Sequence, residues 1–171
     1  MFQMIGACLG DIEGYARLKD AIRGGQTPCS VFGVAEGLKP HLLHKLSEDF
    51  QIPILFIAQN DYKALNLCNA SEGGVYFPSR EVSLRPAAAR GRESEFLRIR
   101  ALRHMLLNGG ILYASLTAVR ARLIPKELFE SAFLTIEKNK EYDLRMILEK
   151  AVQNGFERVP VVEGEGQIAL R

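Results

Sequence analysis

Gly33, Gly37 and Lys39 fall in the stretch GVAEGLKPHL, directly after the apolar run CSVF and ahead of a helical pattern. Glycines and a lysine between a strand and a helix are the parts of a phosphate-binding loop. There the last glycine lets the backbone approach the phosphates, the lysine neutralises them, and a following hydroxyl holds Mg²⁺. The spacing here leaves that motif incomplete. Leu38 stands where the last glycine should precede Lys39, and Gly33 and Gly37 are too close together. Pro40 occupies the hydroxyl position and offers neither a metal ligand nor a backbone N–H. The stretch reads as a degenerate P-loop, marked by Gly33, Gly37 and Lys39. The plain alternative is a structural strand-to-helix turn.

Other chemistry-bearing residues form no site. His41 and His44 have the helical spacing of a metal pair, but no third ligand is in view. Ser115, His104 and Asp61 supply the residue types of a hydrolytic triad, yet no G-x-S-x-G elbow accompanies them. Glu163 and Glu165 flank a turn and read as solvated. The expectation is no catalytic residue, no metal and no cofactor.

Arginines are concentrated in one region: Arg80, Arg85, Arg90, Arg92, Arg98, Arg100 and Arg103. Such a run could contact phosphates. Glu81, Glu93 and Glu95 are interspersed, and no aromatic residue is spaced for base stacking. At helical spacing Arg100, Arg103 and His104 share a face, read as solvated. Arg98 falls with Ala101, Leu102 and Met105 on the apolar side, where a partly buried ion pair is expected.

The last sixteen residues, FERVPVVEGEGQIALR, read as a β-hairpin. With Gly164-Glu165 as a two-residue turn, Val162 faces Gln167 and Arg158 faces Arg171. Like charges directly opposite on one sheet face repel. An acidic partner would relieve that repulsion, and so would a local carboxylate such as Glu157 or Glu163.

The elements that must position these residues alternate along the first part of the chain. A helical pattern runs over residues 5–23, with Ile5, Leu9, Ile12, Ala16 and Ile22 at helical spacing. After the break GGQTP comes the short apolar strand CSVFGV, then the helix PHLLHKLSEDF. IPILFIA reads as a strand buried on both faces. Asn60 or Asp61 caps the next helix, and GGVYFP is a third strand. A polar loop over 79–93 leads to a helix closed by Gly109 and Gly110, the strand ILYASL and the short helix TAVRARL. Strands alternating with helices predict a parallel sheet with helices on both faces.

Beyond Pro125 the pattern changes. SAFLTIEK alternates like a half-exposed strand, and Asp143 caps a helix whose stripe is Leu144, Ile147, Leu148, Ala151 and Val152, with Gly155 as its stop. The expected division is an α/β domain over 1–125 and part of a small α+β domain over 126–171.

Composition fits a globular protein: 47% hydrophobic and 25% charged residues, with a net charge of only +2, give no bulk reason to expect a nucleic-acid partner. The three cysteines form no C-x-x-C pair, which favours a reducing cytoplasm over a disulfide framework. The N-terminus lacks the marks of a signal peptide, and no apolar run is long enough to span a membrane.

The stretches RESEFLRIRALRHML and ILYASLTAVRARLIPKELF, followed by GFERVPVVEGEGQIALR, resemble the N-terminal module of bacterial transcription-repair coupling factors. That module is itself similar to the nucleotide-excision-repair helicase subunit UvrB. Gly155, Arg158, Val159, Val162, Gly166 and Arg171 match the family pattern; Phe156 and Ile168 stand where the family has Tyr and an aromatic residue. The resemblance covers nearly the whole chain. It implies a degenerate P-loop, RecA-like first domain without nucleotide chemistry, and a second domain that binds UvrA, the damage-recognition subunit, in transcription-coupled DNA repair. The hairpin arginines among the family's contacts fall on Arg158 and Arg171. It also implies a cytoplasmic bacterial protein whose full chain is an ATP-dependent DNA translocase. That chain would engage RNA polymerase and double-stranded DNA through other domains, and this stretch would be a fragment ending within the second domain. The alternative is a UvrB-like domain that still binds nucleotide or DNA.

Overall fold

The structure is a computed structural model and describes residues 8–80, 93–164 and 166–170. The chain forms two compact units, Met1–Ala121 and Arg122–Arg171.

The first unit is built on a parallel three-stranded sheet. Its strands are β1 (Ile54–Ala58), β2 (Gly74–Phe77) and β3 (Ile111–Ser115), in the order β1-β3-β2. Both neighbours run parallel to β3, with Phe56 and Tyr76 each opposite Tyr113. A parallel sheet needs apolar cover on both faces, and two clusters supply it. On one face Ile111 and Tyr113 pack with Leu67 of helix α3 (Asp61–Asn69) and Leu43 of α2 (Lys39–Phe50). On the other, Phe77 and Ala114 pack with Ala101 of α4 (Glu93–Asn108) and Ala118 of α5 (Leu116–Val119). The expected mixed architecture, a parallel sheet with helices on both sides, is present.

Local chemistry sets the helix ends. Asn60 is the cap of α3, its side chain accepting from the Lys63 N–H at 2.9 Å, which frees Asp61 for another role. Gly109 and Gly110, at φ of 66° and 94°, close α4 as expected. Helix α1 (Glu13–Arg23) docks on α2 through one carboxylate. Asp49 accepts from the Tyr15 hydroxyl at 2.9 Å and pairs with Lys19 at 2.7 Å and Lys45 at 2.9 Å. These partners, Lys19 foremost and then Lys45, hold the Asp49 carboxyl well below its usual range.

Two expected features of this unit are corrected. CSVFGV is not a strand: residues 29–34 are irregular, with Phe32 89% exposed. The positive φ of Gly33, 78°, breaks the extended run, and no neighbouring strand pairs with it among the described residues. Nor is β1 buried on both faces. It is an edge strand, and Leu55 and Ile57 lie half-exposed on the face that α4 leaves uncovered.

The second unit contains α6 (Lys126–Ser131), α7 (Leu144–Gln153) and a two-stranded sheet, β4 (Glu157–Arg158) and β5 (Gln167–Ile168). Asp143 caps α7 by accepting from the Arg145 N–H at 2.8 Å. The segment SAFLTIEK is not a strand. Its first residue ends α6, and the rest is irregular, held by an edge-to-face contact of Phe133 with Phe129 and by donation from Lys150 Nζ to the Phe133 carbonyl.

The terminal hairpin is also corrected. β4 and β5 run parallel, with Glu157 opposite Gln167 and Arg158 opposite Ile168. The Gln167 side-chain oxygen accepts from the Glu163 and Gly164 N–H groups, and the parallel pairing excludes a tight two-residue turn between the strands. Gly166, at φ 81°, then returns the chain in the original direction.

Two stability predictions follow from these contacts. A Cβ on Gly74 would lie 2.6 Å from Tyr113 Cε2 and 2.9 Å from Ser71 Oγ, so Gly74→Ala is expected to cost about 1–3 kcal/mol in denaturant unfolding. Asp49→Asn removes the clamp on α1 and is expected to cost about 1–3 kcal/mol near neutral pH. The Asp49 pKa is depressed in the folded state, so its contribution is complete above the unfolded carboxylate value and is lost as pH falls. The melting-temperature gap between wild type and Asp49→Asn should therefore shrink below about pH 4.

Candidate functional site

The stretch with Gly33, Gly37 and Lys39 lies ahead of α2, and its parts engage one another. Lys39 Nζ pairs with Glu36 at 2.7 Å across a short 3₁₀ turn, Glu36–Leu38. Pro40 is fully buried at the start of the helix, and Gly33 and Gly37 are exposed. The strand that should feed such a loop is missing. Gly33, Gly37 and Lys39 are thus close in sequence without forming a cradle of N–H groups around a lysine.

Open parallel sheets place ligands beyond the carboxyl ends of their strands. Here that edge is gathered by Asp61. Its carboxylate accepts from the Ser79 N–H at 3.3 Å and from the Ser79 hydroxyl, and it is hydrogen-bonded to Ser115 and Tyr76. Burial opposes ionisation, yet these bonds outweigh it and hold the carboxyl below its usual range. Burial and the Asp61 charge push Tyr76 up to about 12, so its hydroxyl stays protonated and keeps donating. The Ser115 oxygen also accepts from the Ala118 N–H at 3.1 Å, capping α5. Asp61, Ser115 and His104 have the residue types of a triad without its elbow motif. The structure unites the first two and separates the third. His104 lies toward the amino edge beside Asn108, its ring nitrogen 3.3 Å from the Asn108 amide.

Arg98 is buried at the same carboxyl edge, with 4% of its surface exposed. Its guanidinium lies 3.9 Å from the Phe77 ring centroid, and Nη1 donates to the Pro78 carbonyl at 2.5 Å and toward the Ala118 carbonyl at 3.4 Å. The expected ion pair is absent among the described residues: Arg98 is held by a ring and by carbonyls. Burial, then the charge of Arg80, pushes its pKa down, and Asp61 pulls it up. Arg100 and Arg103 are exposed on the other face of α4, as expected. Arg85, Arg90, Arg92 and Glu81 lie outside the described residues.

The amino edge carries a cavity of about 380 Å³ lined by His44, Glu48, Glu72, His104 and Asn108, among others. His44 Nε2 lies 3.4 Å from Glu48. No group of three or more metal-ligating side chains occurs among the described residues.

In the second unit Arg158 is exposed on β4 and makes no ion pair among the described residues. Arg171 lies outside them, so the expected opposition of the two arginines is replaced by Arg158 facing Ile168. In the same stretch of chain Phe156, Val161 and Val162 are exposed, the valines by more than half, as are Glu157 and Glu163. Ala151 is the buried hydrophobic residue of this unit among the described residues. The sequence signal for this surface was the run VPVV beside a lone arginine, which the hairpin reading assigned to pairing across a turn.

No known protein family matches the chain. No curated protein matches it either.

Two substitutions separate the roles assigned here. Asp61→Ala strands the hydroxyls of Ser79, Ser115 and Tyr76 and is expected to cost about 2–3 kcal/mol. Lys39→Ala removes a partly exposed local pair and is expected to change stability by no more than about 0.5 kcal/mol. Thermal unfolding of the two variants beside wild type checks both.

Proposed function

We propose that this chain is a non-catalytic recruiting module of the transcription-repair coupling type, and that it binds UvrA through the surface carrying Arg158. The observation that carries this reading is the second unit itself. It carries an exposed arginine without an ion pair among the described residues, in a stretch with several exposed apolar side chains, and its described residues bury little apolar surface of their own. Charge flanked by uncovered apolar area is the composition of a docking surface. The resemblance carried by Gly155, Arg158, Val159, Val162 and Gly166 supplies the identity of the partner.

The first unit supports the same reading as a scaffold. The loop at Gly33–Lys39 is closed on itself by the Lys39–Glu36 pair. The Asp61 network ties the strands together at the edge where a nucleotide would sit. In this reading, UvrA is the partner of this module, and RNA polymerase and double-stranded DNA are contacted by other parts of a longer protein. The module works in the bacterial cytoplasm and takes no cofactor. Electrostatic steering by Arg158 makes association faster at low salt.

Titration against purified UvrA tests the proposal. Wild type should bind saturably, and Arg158→Ala, with unchanged unfolding, should bind roughly tenfold more weakly, as expected for loss of a charged anchor. The response to ATP and Mg²⁺ should be flat. Saturable nucleotide binding with no response to UvrA would overturn the reading.

A further inference from the structure

The strongest unsatisfied group in the first unit is the Arg98 guanidinium. It is buried to the point that 4% of the residue's surface remains exposed. Nη1 is used by two carbonyls at the ends of β2 and α5, and the flat face is used by Phe77. Nη2, bonded to the same carbon and so held at the same carboxyl edge, has no hydrogen-bond partner among the described residues. Carbonyls and a ring offset part of the cost of burying the cation, but none of them carries a countercharge. The carboxylate whose charge acts on Arg98 is Asp61, and its oxygens are engaged by Ser79, Ser115 and Tyr76. Arg80, exposed just beyond Ser79, adds a second positive charge to the same neighbourhood.

From this arrangement we infer that the carboxyl edge between β2 and β3 is a binding site for a small oxyanion. Arg98 Nη2 is the buried donor, and Arg80 is the contact on the solvent side. The position agrees with the place where open parallel sheets receive ligands. An oxyanion would supply the missing acceptor and balance the second positive charge that Arg80 adds. A planar guanidinium is suited to hold it because its orientation is already fixed by Phe77 and the Pro78 carbonyl. The site is independent of the Arg158 surface and of the Gly33–Lys39 loop. Phosphate groups and carboxylates share the required chemistry.

The test is thermal unfolding of the whole chain at constant ionic strength, titrated separately with inorganic phosphate and with acetate. Wild type should show a saturable rise of about 2–5 °C with at least one of the two anions. A rise with phosphate alone assigns the site to phosphate groups, and a rise with acetate admits carboxylates. Arg80→Ala, a change at an exposed position, should melt like wild type without anion and lose at least half of the rise. Arg98→Lys keeps the charge but removes the fork and should abolish it; if that variant does not fold, Arg80→Ala decides alone. A flat response, or a rise that is linear in anion and equal in Arg80→Ala, overturns the proposal, since the latter is the signature of a bulk salt effect.

Discussion

One carboxylate gathers the first unit. Asp61 begins α3 directly after β1, and it reaches Ser79 beyond β2, Tyr76 within β2 and Ser115 at the end of β3. Each strand of the sheet is therefore tied to its neighbours at the carboxyl edge by side chains as well as by the backbone ladder. Carboxylates drawn out of water are costly unless their acceptors are filled, and this partly buried one is filled by hydroxyl and amide donors from two other segments, the end of β2 and the end of β3. The helix on one face and the short helix on the other are fixed by the same atoms, because Ser115 also caps α5. The interior follows from this closure. Tyr113 on the central strand is fully buried, and it fits only because position 74 carries no Cβ.

That closure also bears on function. In a nucleotide-binding sheet the carboxyl edge is left open, with N–H groups and a lysine facing the crevice. Here hydroxyls and a carboxylate satisfy one another across the edge, and the lysine of the neighbouring loop is turned to its own glutamate. In the second unit few of the described apolar residues are buried, and Arg158 stands exposed on a short parallel pair. The unfilled donor of Arg98 is the exception within the first unit.

Much of the first unit was legible in the sequence. Continuous apolar runs marked β1 and β3, Asn60 marked the start of α3, and the glycine pair marked the end of α4, because each of these is a local property of the chain. Features that depend on distant partners were not legible. CSVFGV has the composition of a strand, but a strand exists only where another strand pairs with it, and Phe32 stays in solvent instead. The Asp61 network joins residues from three segments, and its only trace in the sequence is a polar residue following each apolar run. The terminal pairing failed for a third reason. A glycine-rich turn was assumed to fix the register, whereas the Gln167 side chain organises a longer loop that reverses the sense of the second strand.

In the proposed function the working surface lies on the second unit and the first unit is its scaffold. Backbone hydrogen exchange of the chain, alone and with UvrA added, tests this most directly. The account predicts new protection confined to the neighbourhood of β4 and β5, residues 156–168, with the Gly33–Lys39 loop and the ends of β1, β2 and β3 unchanged. Protection centred on that loop or on the carboxyl edge of the sheet, or no protection at saturating UvrA, would contradict it.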